Sequence, residues 1–215
     1  MAKKKKSAAA KTKSAPSARA KKAKAAKHSD TKAAITKRVS AARRKPAASR
    51  PGARRAAEAG DWPREGSRAP DFAAVAHDGS KVTLAGLRGR PVVLYFYPKD
   101  DTPGCTVEAC GFRDAHARFG RHRAVVIGVS PDSPQSHERF RNKHDLPFTL
   151  LADGDHGIAT KYGAWRKKSM YGKTFMGVAR CTFLIDAAGR IAKVFQAVKP
   201  AGHEREVLSA LAGLG

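Results

Sequence analysis

Cysteines, aromatic residues and acids are all scarce in this 215-residue chain, which has three Cys, 7% Phe, Trp and Tyr, and 18 Asp plus Glu against 43 Lys plus Arg. Three cysteines, an odd number in a chain this long, do not make the disulfide framework of a secreted domain, and a reducing compartment is expected. Long apolar runs are missing too. The longest, Pro91 to Pro98, falls well short of the roughly 18 residues that a membrane-spanning helix needs and suits a buried strand. Lys3–Lys6 is followed by alanine, lysine, serine and threonine where a secretory leader would carry an apolar core. Organellar transit peptides favour Arg, Ser and amphipathic spacing, which the Lys–Ala repeats do not follow. Neither export nor membrane association is expected.

The scarcity is uneven. Residues 1–60 hold 20 Lys/Arg against only Asp30 and Glu58, a net of +18, whereas residues 61–215 hold 23 cations and 16 acids, a net of +7. Besides Met1, the first part has Ile35 and Val39 as its bulky apolar residues, no aromatic residue and 20 alanines. Such a segment cannot bury enough surface to offset chain entropy, so residues 1–60 read as a disordered, Lys/Ala-rich basic tail and residues 61–215 as one folded domain. Blocks such as Ala20–Lys27 and Ala42–Pro46 give the tail the composition of linker-histone and bacterial histone-like tails. About 20 cations on a flexible chain displace counterions from a polyanion, so salt-sensitive, sequence-independent binding of DNA or RNA is expected, and segments such as Thr31–Arg44 could become helical there. With no aromatic residue to stack on a base, the tail is not expected to select sequences or single strands. The bland alternatives are that it only solubilises the domain or serves as a nuclear address. A bacterial cytoplasm with nucleoid association is the expected location, with a nucleus as the alternative.

From residue 66 onward strand and helix patterns alternate. Phe72–Ala76 and Lys81–Leu84 flank Asp78-Gly79, which predicts an N-terminal β-hairpin. Val92–Tyr97 is a continuous apolar run, as a strand covered on both faces requires. A helix is expected from Thr102–Cys105 to about Phe119, then a strand at Ala124–Val129. Ser133 opens a helix ending near Asp145. A short strand at Phe148–Leu151, a short helix at Ile158–Tyr162, a hairpin of Arg180–Ile185 with Ile191–Gln196, and an amphipathic helix at Glu204–Leu214 complete the order. Trp165 and the Arg166–Lys168 run, with Tyr171 and Phe175, read as a surface loop over the core. The class is α/β, a mixed central sheet flanked by helices.

The chemistry lies just after the Val92–Tyr97 strand, in Pro98-Lys-Asp-Asp-Thr-Pro-Gly-Cys105-Thr-Val-Glu-Ala-Cys110. A strand, a Pro/Gly turn and a helix start place Cys105 in a first helical turn, where unpaired N–H groups and the positive end of the helix dipole favour a thiolate. Cys105 is therefore a candidate nucleophile. On an ideal helix the Cα atoms of Cys105 and Cys110 lie about 8.7 Å apart, whereas a disulfide needs less than about 7 Å. If the two pair, the first turns of this helix must unwind.

The Pro98…Thr102…Cys105 pattern after an apolar strand resembles the peroxiredoxin active site, and Tyr95-Phe-Tyr-Pro98 through Cys110 is similar to the bacterioferritin-comigratory, or peroxiredoxin Q, branch. The likeness runs from about Gly66 to the C-terminus through Ala69-Pro-Asp-Phe72, Phe119, Val126-Ile-Gly-Val-Ser130, Leu150-Leu-Ala-Asp153 and Arg180-Cys-Thr-Phe-Leu-Ile-Asp186. Residues 1–60 lie outside it. The resemblance implies a thioredoxin-like fold and a thioredoxin-dependent peroxidase without metal or organic cofactor, monomeric or weakly dimeric. It implies Cys105 as the peroxidatic cysteine and Cys110 as the resolving one. Thr102 would hydrogen-bond the thiolate and the peroxide, Pro98 would shield the site, and Arg180 would reach the sulfur from a distant strand. The other classes weighed are a thiol–disulfide oxidoreductase, for which Cys-x-x-Cys is missing, and a nucleoid or chromatin protein whose redox domain is secondary.

Bland readings stand beside these. Cys181 follows Arg180 and should point to the opposite sheet face as a buried free thiol. A metal held by Cys105, Cys110 and His116 would need a fourth ligand and lacks zinc spacing. Asp100, Asp101 and Glu108 read as solvated or capping charges.

Overall fold

The computed structural model describes residues 61–170 and 172–214. The expectations for residues 1–60 and Tyr171 lie outside the described residues. Nine strands and five helices are described: β1 (Ala73–Ala76), β2 (Lys81–Thr83), β3 (Val92–Phe96), α1 (Pro103–Asp114), α2 (His116–Arg121), β4 (Val125–Ser130), α3 (Pro134–Lys143), β5 (Thr149–Ala152), α4 (Gly157–Lys161), β6 (Trp165–Met170), β7 (Lys173–Val178), β8 (Cys181–Ile185), β9 (Ile191–Phe195) and α5 (His203–Ala212).

Seven strands form one mixed sheet in the order β2-β1-β5-β4-β3-β8-β9. β3, β4 and β5 run parallel, and β8 pairs antiparallel with β3. Asp78-Gly79 turns β1 into β2, with Gly79 at φ 80°, and the two strands pair antiparallel.

β3 shows why its sequence has no polar alternation. All five of its residues are buried. Val92, Leu94 and Phe96 enter the core on one face, and Val93, Tyr95 and then Tyr97 enter the core on the other. α4 covers the first core through Ile158 and Ala159, while α1, α2, α3 and α5 cover the second through Phe112, Phe119, Phe140 and Val207. Each such large side chain taken out of water contributes about 1.5–3 kcal/mol, so this strand anchors both layers and carries the loop at its C-terminal end on a rigid base.

Two sequence expectations are corrected. The long helix expected to reach Phe119 is two helices, broken at Ala115, whose backbone closes α1 and starts α2 at φ −90°, ψ −1°. The break re-aims the chain while keeping both Phe112 and Phe119 in the same core. The surface loop expected around Trp165–Phe175 is instead a two-stranded ribbon, β6 with β7, in continuous register from Trp165↔Val178 to Met170↔Lys173. Its alternation is hard to read in the sequence because cations and apolar residues mix on both of its faces, and Phe175 and Met176 remain exposed.

Close packing at the sheet centre makes one position sensitive. A Cβ on Gly128 of β4 would lie 2.7 Å from the Tyr95 ring and hydroxyl and from Leu150 Cδ2. Gly128→Ala is expected to lower the unfolding free energy by about 1–3 kcal/mol through overpacking, measured by urea denaturation; an unchanged midpoint would contradict this packing.

Candidate active site

Pro103 occupies the first turn of α1, where its missing N–H is no loss and its fixed φ favours the helix. Thr102 precedes it with extended backbone and no side-chain cap, and the first N–H to bond back is that of Thr106, to Thr102 O at 2.8 Å. The Gly104 and Cys105 N–H groups therefore precede the intrahelical ladder and are open to a ligand. Cys105 sits here, buried at 1% exposure.

Arg180 reaches the same point from the segment between β7 and β8, and its Nη2 donates to Cys105 Sγ at 3.2 Å. Pairing of β8 with β3, Phe96 opposite Cys181, brings a residue 75 positions away to the sulfur. Gly104 leaves room for it. A Cβ there would come within 3.3 Å of Arg180 Nη2 and 3.6 Å of Pro200 Cγ.

The Arg180 guanidinium also forms a salt bridge with Glu108, one helical turn after Cys105, through Nη1 and Oε2. Sequence reasoning took Glu108 for a solvated or capping charge; it is buried and pairs with the site arginine. The signal that could have found it is its position three residues after Cys105, on the same helix face. Burial pushes the Glu108 carboxyl up to about 7, against the opposing pull of Arg180. Burial also disfavours the charge on Arg180, but Glu108 and Cys105 outweigh it and hold the guanidinium more firmly protonated. Glu108 Oε1 and the Tyr95 hydroxyl are buried without a hydrogen-bond partner among the described residues.

The remaining sequence candidates divide. Thr102 stands at the helix entrance, its hydroxyl donating to Lys99 O at 3.1 Å and so directed into the turn rather than at the sulfur. Pro98 is exposed at the bend after β3. Cys110 is half-buried on α1 and, like Cys105 and Cys181, a free thiol. Cys181 belongs to the core on the opposite sheet face, as expected, and burial pushes its thiol far above the ordinary range. Asp100 is a second correction: it is buried and accepts from the Tyr97 hydroxyl at 2.7 Å. Asp101 alone of the three acids is exposed, paired with Lys143 and His144. Lys168 of β6, not singled out as a site residue, is half-buried within electrostatic reach of Arg180 and Cys105; burial, then Arg180, lowers its pKa. Among the described residues, no cluster of three or more His, Cys, Asp or Glu could hold a metal ion.

Glu108 makes a pH dependence. Its folded-state pKa lies above the ordinary 4.5, so between about pH 4.5 and 7 the native protein binds more protons than the unfolded chain, and this carboxyl's contribution to stability falls as pH rises. Glu108→Gln is expected to remove that slope. Urea unfolding at pH 5 and pH 8 should show wild type losing ground to the variant at pH 8.

Residues 66–194 match the AhpC/TSA family. The chain is 49% identical over 146 residues to peroxiredoxin Bcp of Bacillus subtilis (strain 168), covering 68% of this chain and 93% of that protein. It is 44% identical over 144 residues to peroxiredoxin Bcp of Escherichia coli (strain K12), covering 67% and 92%. Among solved structures, a cysteine-to-serine mutant of Xylella fastidiosa PrxQ superposes with a TM-score of 0.68 at 33% identity, covering 72% of this chain and 98% of that one. A cysteine-to-serine mutant of Xanthomonas campestris peroxiredoxin Q gives a TM-score of 0.65 at 38% identity over 67% and 92%. With a thioredoxin-like α/β fold and a matched segment spanning more than half of its length, the chain belongs to the AhpC/TSA family.

Proposed function

We propose that this chain is a thioredoxin-dependent thiol peroxidase that reduces hydrogen peroxide and organic hydroperoxides through Cys105. The observation that carries the reading is the Cys105 sulfur at the start of α1 with the Arg180 guanidinium 3.2 Å away. A thiolate is the nucleophile in such chemistry. It attacks one peroxide oxygen, the O–O bond breaks, and the departing oxygen leaves with the bonding pair as hydroxide or alkoxide, which takes up a proton. Arg180 and the Gly104 and Cys105 N–H groups are placed to stabilise the charge that develops on that oxygen. The Thr102 hydroxyl joins them once it turns away from Lys99 O, and Pro98 limits access beside the sulfur.

The product is a sulfenic acid at Cys105. Condensation with the Cys110 thiol forms a disulfide and releases water. Both cysteines lie on α1, so the helix must open before the sulfurs meet. A dithiol of the thioredoxin type then reduces the disulfide in two exchange steps. The protein acts as a monomer or weak dimer without a resident metal or organic cofactor.

We divide the chain into this catalytic domain, residues 61–215, and a basic tail, residues 1–60, that binds nucleic acid. The +18 charge of the tail supports that second role through counterion release. A peroxidase tethered to nucleic acid in a bacterial cytoplasm would remove peroxide near its bases. Among the described residues no helix is long and apolar enough to cross a membrane.

Intact and peptide masses test the chemistry. One equivalent of hydrogen peroxide added to reduced protein should remove two hydrogens as a Cys105–Cys110 link, and Cys110→Ser should accumulate sulfenic acid or its overoxidised products. An inert Cys105 would sink the reading. Arg180→Ala should slow the first step on the order of 10²-fold, the cost of losing one preorganised donor, in competition kinetics. For the tail, full-length protein should bind duplex DNA at physiological salt and a 61–215 fragment should not; equal binding would remove the nucleic-acid role.

A further inference from the structure

The turn that carries the reactive helix is fastened from beneath by a buried polar network. His137 of α3 is fully buried, and its Nδ1 lies 2.9 and 3.1 Å from the two carboxylate oxygens of Asp100. Its Nε2 lies 3.1 Å from Leu151 O on β5. Both ring nitrogens are thus within hydrogen-bond distance of an oxygen, one from the Asp100 side chain and one from the β5 backbone. The Tyr97 hydroxyl donates to the same carboxylate at 2.7 Å. The Asp100 N–H donates to Asp132 Oδ2 at 2.8 Å, and that oxygen is itself held by Ser130 Oγ at 2.7 Å. The turn is thus tied to β4, α3 and β5 at once. Asp101, at φ 53°, extends the fastening to the other end of α3 through Lys143 Nζ at 2.6 Å and His144 Nε2 at 3.0 Å. Arg113 of α1 donates to His144 O at 2.8 Å.

We infer that Asp100 and His137 are positioning residues for the sulfur chemistry: their buried pair pins the turn to α3 and thereby sets how readily the first turns of α1 unwind. The inference rests on the peroxidase reading above. Neither side chain touches the sulfur, and both act through the turn that ends at Thr102.

Unwinding decides a competition. The Cys105 sulfenic acid either condenses with the Cys110 thiol, giving disulfide and water, or meets a second hydrogen peroxide, giving sulfinic acid and water. The first outcome requires α1 to open, and the second requires it to stay closed with the sulfur still facing the peroxide site. A firmly pinned turn therefore slows resolution and favours overoxidation at high peroxide. A loosened turn does the reverse.

The test compares wild type, Asp100→Asn, and the double variant Asp100→Ala/His137→Leu, which removes both partners of the pair. Full-length reduced protein is treated with graded hydrogen peroxide in the presence of reductant, and disulfide and sulfinic acid are counted by peptide mass. In the double variant the peroxide concentration that converts half of Cys105 to sulfinic acid should rise on the order of tenfold, the worth of one buried hydrogen bond in an equilibrium. Asp100→Asn should move it in the same direction by less, and carries the test if the double variant does not fold. A purely structural role would lower both products together and leave their ratio unchanged, which would overturn the inference. Wild type that forms disulfide normally beside variants with the same midpoint overturns the pin alone, whereas a wild-type Cys105 inert to peroxide overturns the peroxidase reading with it.

Discussion

The contact between Arg180 and Cys105 is the constraint on which the site depends. A sulfur buried at 1% exposure would ordinarily be an inert core thiol. What separates it from Cys181, equally buried in the same domain, is a guanidinium at hydrogen-bond distance and a place at the N-terminus of a helix. A guanidinium cannot be delivered to a protein interior unpaired without large cost. Glu108 answers that need, and its own burial is answered by Arg180 in turn. Cys105 and Glu108 of α1 and Arg180 of the β7–β8 connection thus meet in one cluster, with the guanidinium bonded to both.

The sheet supplies the geometry that this cluster requires. β3 is buried on both faces and delivers the turn that leads to Cys105, and antiparallel β8 lies beside it so that the residue just before β8 returns to the same end. Gly104 then admits the guanidinium where any side chain would crowd it. α5 closes the arrangement, packing Val207 and Leu208 into the core that holds Phe112 of α1. The turn between β3 and α1 is held by hydrogen bonds of Asp100 with Tyr97 and His137.

Much of the fold was legible because strand and helix signals in residues 66–215 agree with their surroundings. The double-sided apolar run at β3, the Asp78-Gly79 turn, and Ser133 at a helix start each read correctly by local physics. Misreadings fell where local signals conflict or vanish. Helicity continues in propensity across Ala115, so the break between α1 and α2 leaves no trace in composition. β6 and β7 carry cations on both faces and lack the alternation that marks a strand. Asp100 and Glu108 looked like surface acids because a carboxylate's burial depends on the partner that meets it, and both partners, His137 and Arg180, are distant in sequence.

The sequence by itself determined the segregation of charge into residues 1–60, the α/β class, the placement of Cys105 at a helix start and the helical separation from Cys110 that a disulfide between them would have to overcome. These follow from composition, periodicity and the fixed rise of a helix, which are local properties. Tertiary structure alone decided that Arg180 faces the sulfur, that Glu108 backs Arg180, that Thr102 points its hydroxyl into the turn, and that His137 holds Asp100. Each of these is a meeting of groups from different elements, and only the order and direction of the strands in the folded sheet bring them within a few ångströms of one another.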